Sequence, residues 1–177
     1  SLVLGRLDLR DLARPHLQEL VRSTGMTATL SAPGEHDAVT VDFVQSDATV
    51  QSVARVGRPS IGHATAAGKV LLAFADANPP AGALKAYTRR TITDRGRLEA
   101  ELARVARQGY AEAAGERELD LNAIAAPVYD ADGELAGIVG LQGPASRFGR
   151  DAMRAAVEPL LAATAAVSAG LGWKAPR

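Results

Sequence analysis

The stretch of residues 56–74 constrains the fold of this chain more than any other. It reads V-G-R-P-S-I-G-H-A-T-A-A-G-K-V-L-L-A-F, and Gly57 and Pro59 interrupt the strand-like run before it. Thr65 is the predicted N-cap of a helix whose first residues are small and whose next residues are apolar. Small residues allow another segment or a ligand to approach the helix N-terminus, where unpaired N–H groups and the positive end of the helix dipole favour an anion.

Two interpretations of this small helix start remain open. The residues can serve the close packing of a buried helix on a sheet, which is common in ordinary cores. They can also leave room for a carboxylate or a phosphate. A P-loop is excluded, because the spacing from Gly62 to Gly68 is one residue too long and Val70 replaces the hydroxyl residue that would hold magnesium.

Composition narrows the class of protein. The 177 residues predict one domain with a substantial core. Lysine plus arginine and aspartate plus glutamate number 20 each, so the domain lacks the basic excess of a DNA-binding surface, although a DNA-reading head can lie elsewhere in a longer protein. No cysteine is present, which excludes disulfides and thiol chemistry. With no recognisable signal peptide at the start, a cytoplasmic location is expected.

The first part of the chain predicts one helix followed by three strands. The helix runs from about Asp8 to Thr24, with a kink or restart at Pro15 and Gly25 as its C′ residue. Strands are predicted at residues 26–30, 39–45 and 49–56, with a turn at 31–37. Short connections between successive strands make an antiparallel meander.

The remainder predicts helices and then a hairpin. The helix that starts near Thr65 ends at residues 76–80, a short helix is expected at 81–87, and a longer one extends from Thr93 as N-cap to Gly109. Strands at 123–129 and 134–141 flank the turn at 130–133, where Gly133 supplies a positive φ. The alanine-rich segment from Arg150 predicts an amphipathic helix and not a membrane span.

Strand alternation divides the residues of the last strand between two faces. Leu135, Gly137, Val139 and Leu141 share one face, while Ala136, Ile138, Gly140 and Gln142 share the other. Glycines inside a strand mark places where another group comes close. In sum, the chain predicts an α+β domain with an antiparallel sheet.

The sequence contains no pattern that favours catalysis. The three histidines lack metal-binding spacing and no metal site or cofactor is expected. Ser60 and His63 are three residues apart, but a serine in such a turn is usually a turn or cap residue. Glu112, Glu116 and Glu118 are interpreted as solvated charges, because nothing in the sequence brings them together.

Three blocks of sequence carry a resemblance to a known family. They are Leu17-x2-Leu20 with S-T-G-M-T-A at 23–28; G-R-P at 57–59 with H-A-T-A-A-G-K-V-L-L-A at 63–73; and G-Y-A at 109–111 through Glu116, I-A-A-P-V-Y-D at 124–130, G-E at 133–134 and G-P-A-S-R-F at 143–148. In this order, and over nearly the whole chain, they resemble the effector-binding domain of IclR-type bacterial transcription regulators.

The resemblance implies a GAF-like (PAS-like) fold, in which a curved antiparallel sheet is flanked by helices and holds a small-molecule pocket. It implies that residues 1–177 are the effector-binding domain, and that a winged helix-turn-helix DNA-binding domain precedes this chain. It also implies a homodimer or tetramer, a small-molecule effector that is often a carboxylate, DNA binding only through the missing domain, and no membrane contact.

Transferred residue by residue, the family's pocket falls on four places. They are the end of the third strand, the helix start, the first hairpin strand and its facing strand: Ser52; Thr65, Ala66 and Ala67; Asn122 and Ala123; Gly140 and Gln142. Relatives often have cysteine or serine at positions 123 and 140 and glycine at position 120, so this chain departs from the pattern at Ala123, Gly140 and Asp120. We therefore expect an open, less polar floor with room for an aromatic or branched acid.

The residues themselves allow the same assignment. N–H groups at the helix start can hold a carboxylate, and the amides of Asn122 and Gln142 can donate or accept beside it. Arg55 is the weaker candidate for the counter-charge, since strand alternation places it opposite Ser52. Lys69 is interpreted as a solvated helix residue.

The predicted function is a non-enzymatic, ligand-sensing regulatory domain of a transcription regulator. One alternative is a GAF-like dimerisation module without a ligand. A GAF-like enzyme is disfavoured, because the reductases of that type use cysteines and this chain has none.

Overall fold

Six strands form one antiparallel sheet in the order β3-β2-β1-β6-β5-β4. The computed structural model describes the backbone of residues 2–47 and 54–177. Side chains are described for residues 9–47 and 54–177. Its elements are α1 (Leu2–Thr24), β1 (Thr27–Pro33), β2 (Ala38–Val44), β3 (Pro59–Ser60), α2 (Ala66–Phe74), α3 (Arg95–Gln108), β4 (Ala111–Ala114), β5 (Leu121–Tyr129), β6 (Leu135–Pro144) and α4 (Arg150–Gly170). The predicted α+β class and antiparallel sheet are confirmed.

Helices α1 and α4 cover one face of the sheet. Alternation along the central strands turns their larger aliphatic side chains to this face, and these pack against the buried stripes of the two helices. The buried members include Leu9, Ala13, Leu17, Leu20, Leu30, Ile124, Val128, Val139, Leu141, Met153, Leu160 and Val167. This aliphatic layer is the largest of the three hydrophobic clusters found among the described residues.

Helix α2 covers the other face, with α3 packed against it. The second cluster is built from smaller side chains on the strands and from Val70 and Leu71 on the helix. Ala113 and Ala125 are among its buried strand residues. Because these side chains are short, α2 lies close to the sheet.

The ends of α2 and α3 follow their local sequence. The predicted N-cap of α2 is confirmed, since the Thr65 hydroxyl accepts a hydrogen bond from the Gly68 N–H at 2.9 Å. Helix α3 begins one residue later than predicted, because Asp94 and not Thr93 accepts from the Arg97 N–H, at 2.8 Å. It ends at Gly109 with φ 87°, the left-handed C-terminal residue expected of a glycine.

The β5–β6 hairpin contains the predicted turn. Gly133 adopts φ 78°, and the Asp130 carboxylate accepts from the N–H groups of Asp132 and Glu134 at 2.9 and 3.1 Å. Both strands are longer than predicted, with β6 extending to Pro144.

Several predicted boundaries were wrong. Helix α1 starts at Leu2 and continues through the exposed Pro15, because the buried stripe on both sides of the proline outweighs one lost backbone hydrogen bond. Strand β1 extends to Pro33, so the predicted turn at 31–37 begins later, and its pairing with β2 stabilises those residues. Residues 81–87 contain no helix.

The third predicted strand, at 49–56, lies mostly outside the described residues. Its described end, residues 54–56, is not strand, and the partner of β2 is the two-residue β3. No helix in the described part of the chain is long and apolar enough to cross a membrane.

Candidate functional site

A cavity lies between the sheet and the N-terminus of α2. The space within it that is open to the centres of water molecules is about 70 Å³, and one water needs about 10–15 Å³ by the same measure. It therefore has room for a small molecule. Its wall is formed by Thr29, Thr40, Ala54, Arg58, Pro59, Ser60, Ala64, Thr65, Ala66, Ala67, Ala113, Glu116, Arg117, Leu121, Ala123, Ile124, Ala125, Gly140, Leu141 and Gln142.

The α2 N-terminus contributes two backbone donors to this wall. The Thr65 hydroxyl caps Gly68 and donates to the Ile61 carbonyl at 2.8 Å. The N–H groups of Ala66 and Ala67 have no acceptor among the residues that the structure describes. Both residues line the cavity, so two free donors and the positive end of the helix dipole lie at its edge.

The small residues of the helix start have two separate roles. A Cβ at Gly68 would collide with the backbone of Ile61 and Gly62, so this glycine permits close packing of the preceding loop on the helix. Ala66 and Ala67 instead border the cavity. Close packing therefore explains the glycine at position 68, while room for an anion beside Ala66 and Ala67 stays a prediction.

The floor of the cavity is more polar than expected. A Cβ at Gly140 would lie 2.8 Å from the Thr29 hydroxyl, so this threonine occupies the space that the glycine leaves. Thr29 faces Gly140 in the β1–β6 register, and Thr40 on β2 adds a second hydroxyl to the wall. The expected open, less polar floor is thus wrong at Gly140.

Two ion pairs lie at the cavity, and each has one side chain in the wall, namely Arg58 and Glu116. Arg58 Nη2 lies 2.7 Å from Glu118 Oε1, which joins the segment before α2 to the segment after β4. Lys69 is 1% exposed; its Nζ lies 2.8 Å from Glu116 Oε1, donates to the Glu112 carbonyl at 2.8 Å, and lies 3.8 Å from Glu101 Oε1.

The predictions of solvated side chains at Lys69 and Glu116 were therefore wrong. A buried ammonium requires a paired carboxylate and further acceptors, and β4 with the segment after it supplies them. The other Glu116 oxygen accepts from the Ala114 N–H at 3.2 Å, which fixes the carboxylate on the wall of the cavity.

Six of the eight predicted ligand-binding residues line this one cavity: Thr65, Ala66, Ala67, Ala123, Gly140 and Gln142. Asn122 does not, and this prediction is corrected. Its side chain lies on the face of β5 opposite that of Ala123, where its Nδ2 donates to the Phe148 carbonyl at 2.9 Å. Ser52 lies outside the described residues. Arg55 is exposed and does not line the wall.

Ser60 and His63 do not form a nucleophile and base. Ser60 belongs to β3, while His63 is buried and its Nε2 lies 2.8 Å from the Lys85 carbonyl. The histidine therefore holds the segment before α3 in place.

Six polar residues of the wall were not assigned to the site from the sequence: Thr29, Thr40, Arg58, Ser60, Glu116 and Arg117. The alternation of threonine with apolar residues along β1 was visible and predicts a shared face for Thr27, Thr29 and Ser31. Placing that face opposite Gly140 requires the β1–β6 register, which no local pattern provides. Nothing local brings Glu116 or Arg117 to the helix start.

An antiparallel sheet that carries helices on both faces and a small cavity beside one of them is the arrangement of a GAF-like small-molecule-binding domain. The family described as bacterial transcriptional regulator IclR C-terminal matches residues 1–169. The chain belongs to this family and is the effector-binding C-terminal domain of an IclR-family transcriptional regulator.

Individual relatives agree with this assignment. The uncharacterised HTH-type transcriptional regulator RhmR of Escherichia coli K12 is 31% identical over 98% of this chain and 68% of its own length. KdgR of the same organism is 33% identical over 96% of this chain and 66% of its own length. The chain thus spans about two thirds of these curated relatives.

Solved structures show the same fold. Thermotoga maritima IclR has a TM-score of 0.87 at 28% identity, covering 98% of this chain and 72% of that one. The C-terminal domain of Escherichia coli KdgR has a TM-score of 0.81 at 31% identity, covering 94% of this chain and 99% of that one. The predicted family and GAF-like fold are confirmed.

Proposed function

We propose that the cavity at the α2 N-terminus binds a small carboxylate effector. The observation that supports this most directly is the pair of N–H groups on Ala66 and Ala67, which border the cavity without an acceptor among the described residues. A carboxylate placed there accepts two hydrogen bonds beside the positive end of the helix dipole.

The rest of the wall suits the remainder of such a ligand. Thr29, Thr40 and Gln142 provide polar atoms, while Ala123 is small enough to leave space for it. Ser52 remains a predicted contact. Asn122 is not part of the proposed site.

In the whole protein, we propose that effector binding changes how a winged helix-turn-helix domain preceding this chain binds its operator. A ligand shifts such an equilibrium only if it binds one arrangement of the oligomer better than the other. The domain acts in the cytoplasm and within a homodimer or tetramer, as proposed from its family. It binds the effector without converting it.

Thermal unfolding with aliphatic and aromatic carboxylic acids tests this function. An acid at about a hundred times its dissociation constant adds roughly 2.7 kcal/mol to the free energy of unfolding, which is about 5–10 °C for a domain of this size. A selective rise with one class of acid is the expected result, and NMR of the recovered acid should show it unchanged. No rise with any acid would contradict the proposal and favour an assembly module.

Two alanine-to-leucine variants separate cavity binding from binding elsewhere. Ala67→Leu adds bulk to the wall and should abolish the ligand-induced rise, whereas Ala155→Leu, on the exposed side of α4, should preserve it. Gln142→Ala should reduce the rise by removing a polar contact. A rise that survives Ala67→Leu would place the acid outside this cavity.

A further inference from the structure

We propose that Arg117, held against the ring of Tyr87, is the charge that makes the cavity selective for an acid with a single negative charge. This inference rests on the proposed function and adds the residue that decides which acids bind. It depends on a difference among the three cationic side chains in and directly behind the wall: Arg58, Lys69 and Arg117.

Two of these cations are neutralised within the protein. Arg58 pairs with Glu118 at 2.7 Å, and Lys69 pairs with Glu116 at 2.8 Å. Glu101 stands 3.8 Å from Lys69 but is itself paired with Arg104 at 3.0 Å. Neither Arg58 nor Lys69 therefore supplies an uncompensated positive charge to a ligand.

Arg117 differs from both. It lines the cavity and is partly buried, and no carboxylate lies within ion-pair distance of it among the described residues. Its described partner is the Tyr87 ring, whose centroid lies 4.3 Å from the guanidinium Cζ. A ring face attracts a cation but leaves its charge in place, and the in-plane N–H groups of the guanidinium stay available to a carboxylate.

The contact between Tyr87 and Arg117 is supported on both sides by hydroxyl groups. Thr91 Oγ1 accepts from the N–H groups of Tyr87 and Thr88, each at 2.9 Å, and donates to the Glu116 carbonyl at 2.6 Å. Thr88 Oγ1 donates to the Gly115 carbonyl at 2.6 Å. The backbone carrying the ring and the backbone carrying the guanidinium are thereby fixed to each other, which positions Arg117 before a ligand arrives.

The charges around the cavity determine the kind of acid. The charged side chains of the wall and their closest ion-pair partners comprise three positive groups (Arg58, Lys69 and Arg117) and two negative groups (Glu116 and Glu118), which leaves one positive charge. A monoanion neutralises it. A neutral amide leaves the guanidinium uncompensated, and a dianion brings a second negative charge near Glu116, so both bind less well.

Calorimetric titration with matched probes tests the inference. The probes are benzoate and isobutyrate, their primary amides, and the dianion malonate. Wild-type protein should bind at least one monoanion more tightly than its amide and more tightly than malonate. Arg117→Gln should weaken binding of that monoanion about tenfold or more and leave amide binding within about twofold.

Variants of Tyr87 test the positioning role. Tyr87→Leu removes the ring and should weaken monoanion binding about two- to fivefold, while Tyr87→Phe keeps the ring and should preserve it. Arg97→Gln, an exposed arginine on α3, is the matched control and should change nothing. Circular dichroism and urea unfolding of each variant confirm that the fold is retained.

The outcomes distinguish the two proposals. If wild type prefers the monoanion and Arg117→Gln preserves that preference, the carboxylate function stands and the role of Arg117 is overturned. If Arg117→Gln weakens binding of the acid and of its amide equally, the role of Arg117 is also overturned, because an equal loss indicates an effect on packing. If wild type binds none of these probes and no acid of the thermal panel, both proposals fall.

Discussion

The two faces of the sheet are formed by the same strands but differ in the size and polarity of their side chains. Facing α1 and α4, the strands present Leu30, Ile124, Val128, Val139 and Leu141, all of them essentially inaccessible to solvent. Facing α2, they present Thr29, Ala123, Ala125, Gly140 and Gln142. One face buries aliphatic area, and the other leaves a cavity with polar atoms in its wall.

This difference indicates how a small domain combines stability with a binding site. Burial of aliphatic side chains between α1, α4 and the sheet contributes most of the hydrophobic free energy, because that contribution scales with the apolar area removed from water. The α2 face contributes less by packing. It depends instead on specific polar contacts, namely the Lys69 network and the Thr65 cap. Variants that remove those contacts test the comparison.

The largest effect is expected at Lys69. Lys69→Met removes the ammonium and leaves the Glu116 carboxylate, whose side chain is 14% exposed, without its ion-pair partner. Because an uncompensated carboxylate in this position is costly, we expect a loss of about 3 kcal/mol in the free energy of unfolding, measured by urea denaturation.

Two further variants make the Lys69 result specific. Lys69→Met combined with Glu116→Gln removes both charges and should recover most of the lost stability. Lys174→Met, in the exposed tail, should change stability by less than about 0.5 kcal/mol. If Lys69→Met alone is as stable as the wild-type protein, the α2 face does not depend on this ion pair.

How much of this arrangement the sequence could predict depends on how local the signal is. The Thr65 cap, the Gly109 helix end and the turn closed by Gly133 each rest on a few adjacent residues, and each is found as predicted. The burial of Lys69 had no local signal. Its partners lie on β4 and in the segment that follows, more than forty residues along the chain, and only the packing of α2 on the sheet brings them together.

The candidate site shows the same limit. Family resemblance identified six wall residues, because they belong to sequence blocks with fixed spacing. Asn122 was misplaced because it was assigned to the pocket together with its neighbour Ala123, although adjacent residues of a strand face opposite sides of the sheet. The contact between Arg117 and Tyr87 was not predicted either. Tyr87 ends the segment 81–87, which was wrongly predicted to be helical, and the segment around Arg117 has no helical or strand periodicity.

A matched pair of glycine variants compares the two faces directly. Gly140 lies on the α2 face, where a new Cβ would stand 2.8 Å from the hydroxyl of Thr29, a short and stiff side chain. Gly137 lies on the other face, where a new Cβ would stand 3.0 Å from the terminal Cδ2 of Leu9, which can rotate away. We expect Gly140→Ala to cost about 1–3 kcal/mol and Gly137→Ala to cost less than about 1 kcal/mol.

Urea denaturation of both glycine variants measures this difference. Thr29→Ala combined with Gly140→Ala should recover part of the loss, since it removes the atom that the new Cβ meets. Equal costs for the two single variants would show that the faces tolerate added volume alike, and would remove the argument that Thr29 fills the cavity floor.

The smallest of these effects concerns the helix cap at the cavity. Thr65→Ala leaves the Gly68 N–H without its acceptor and should cost about 1 kcal/mol, while Thr65→Ser retains the hydroxyl and should be close to neutral. Hydrogen exchange should accelerate at the Gly68 amide. Helix α4 has Gly149 as its N-cap residue and no side-chain cap, and because Thr65 plays no part in it, its first turn should exchange at the wild-type rate in both variants. Unchanged exchange at Gly68 would mean that packing of the preceding loop, and not the cap, holds the helix start beside the cavity.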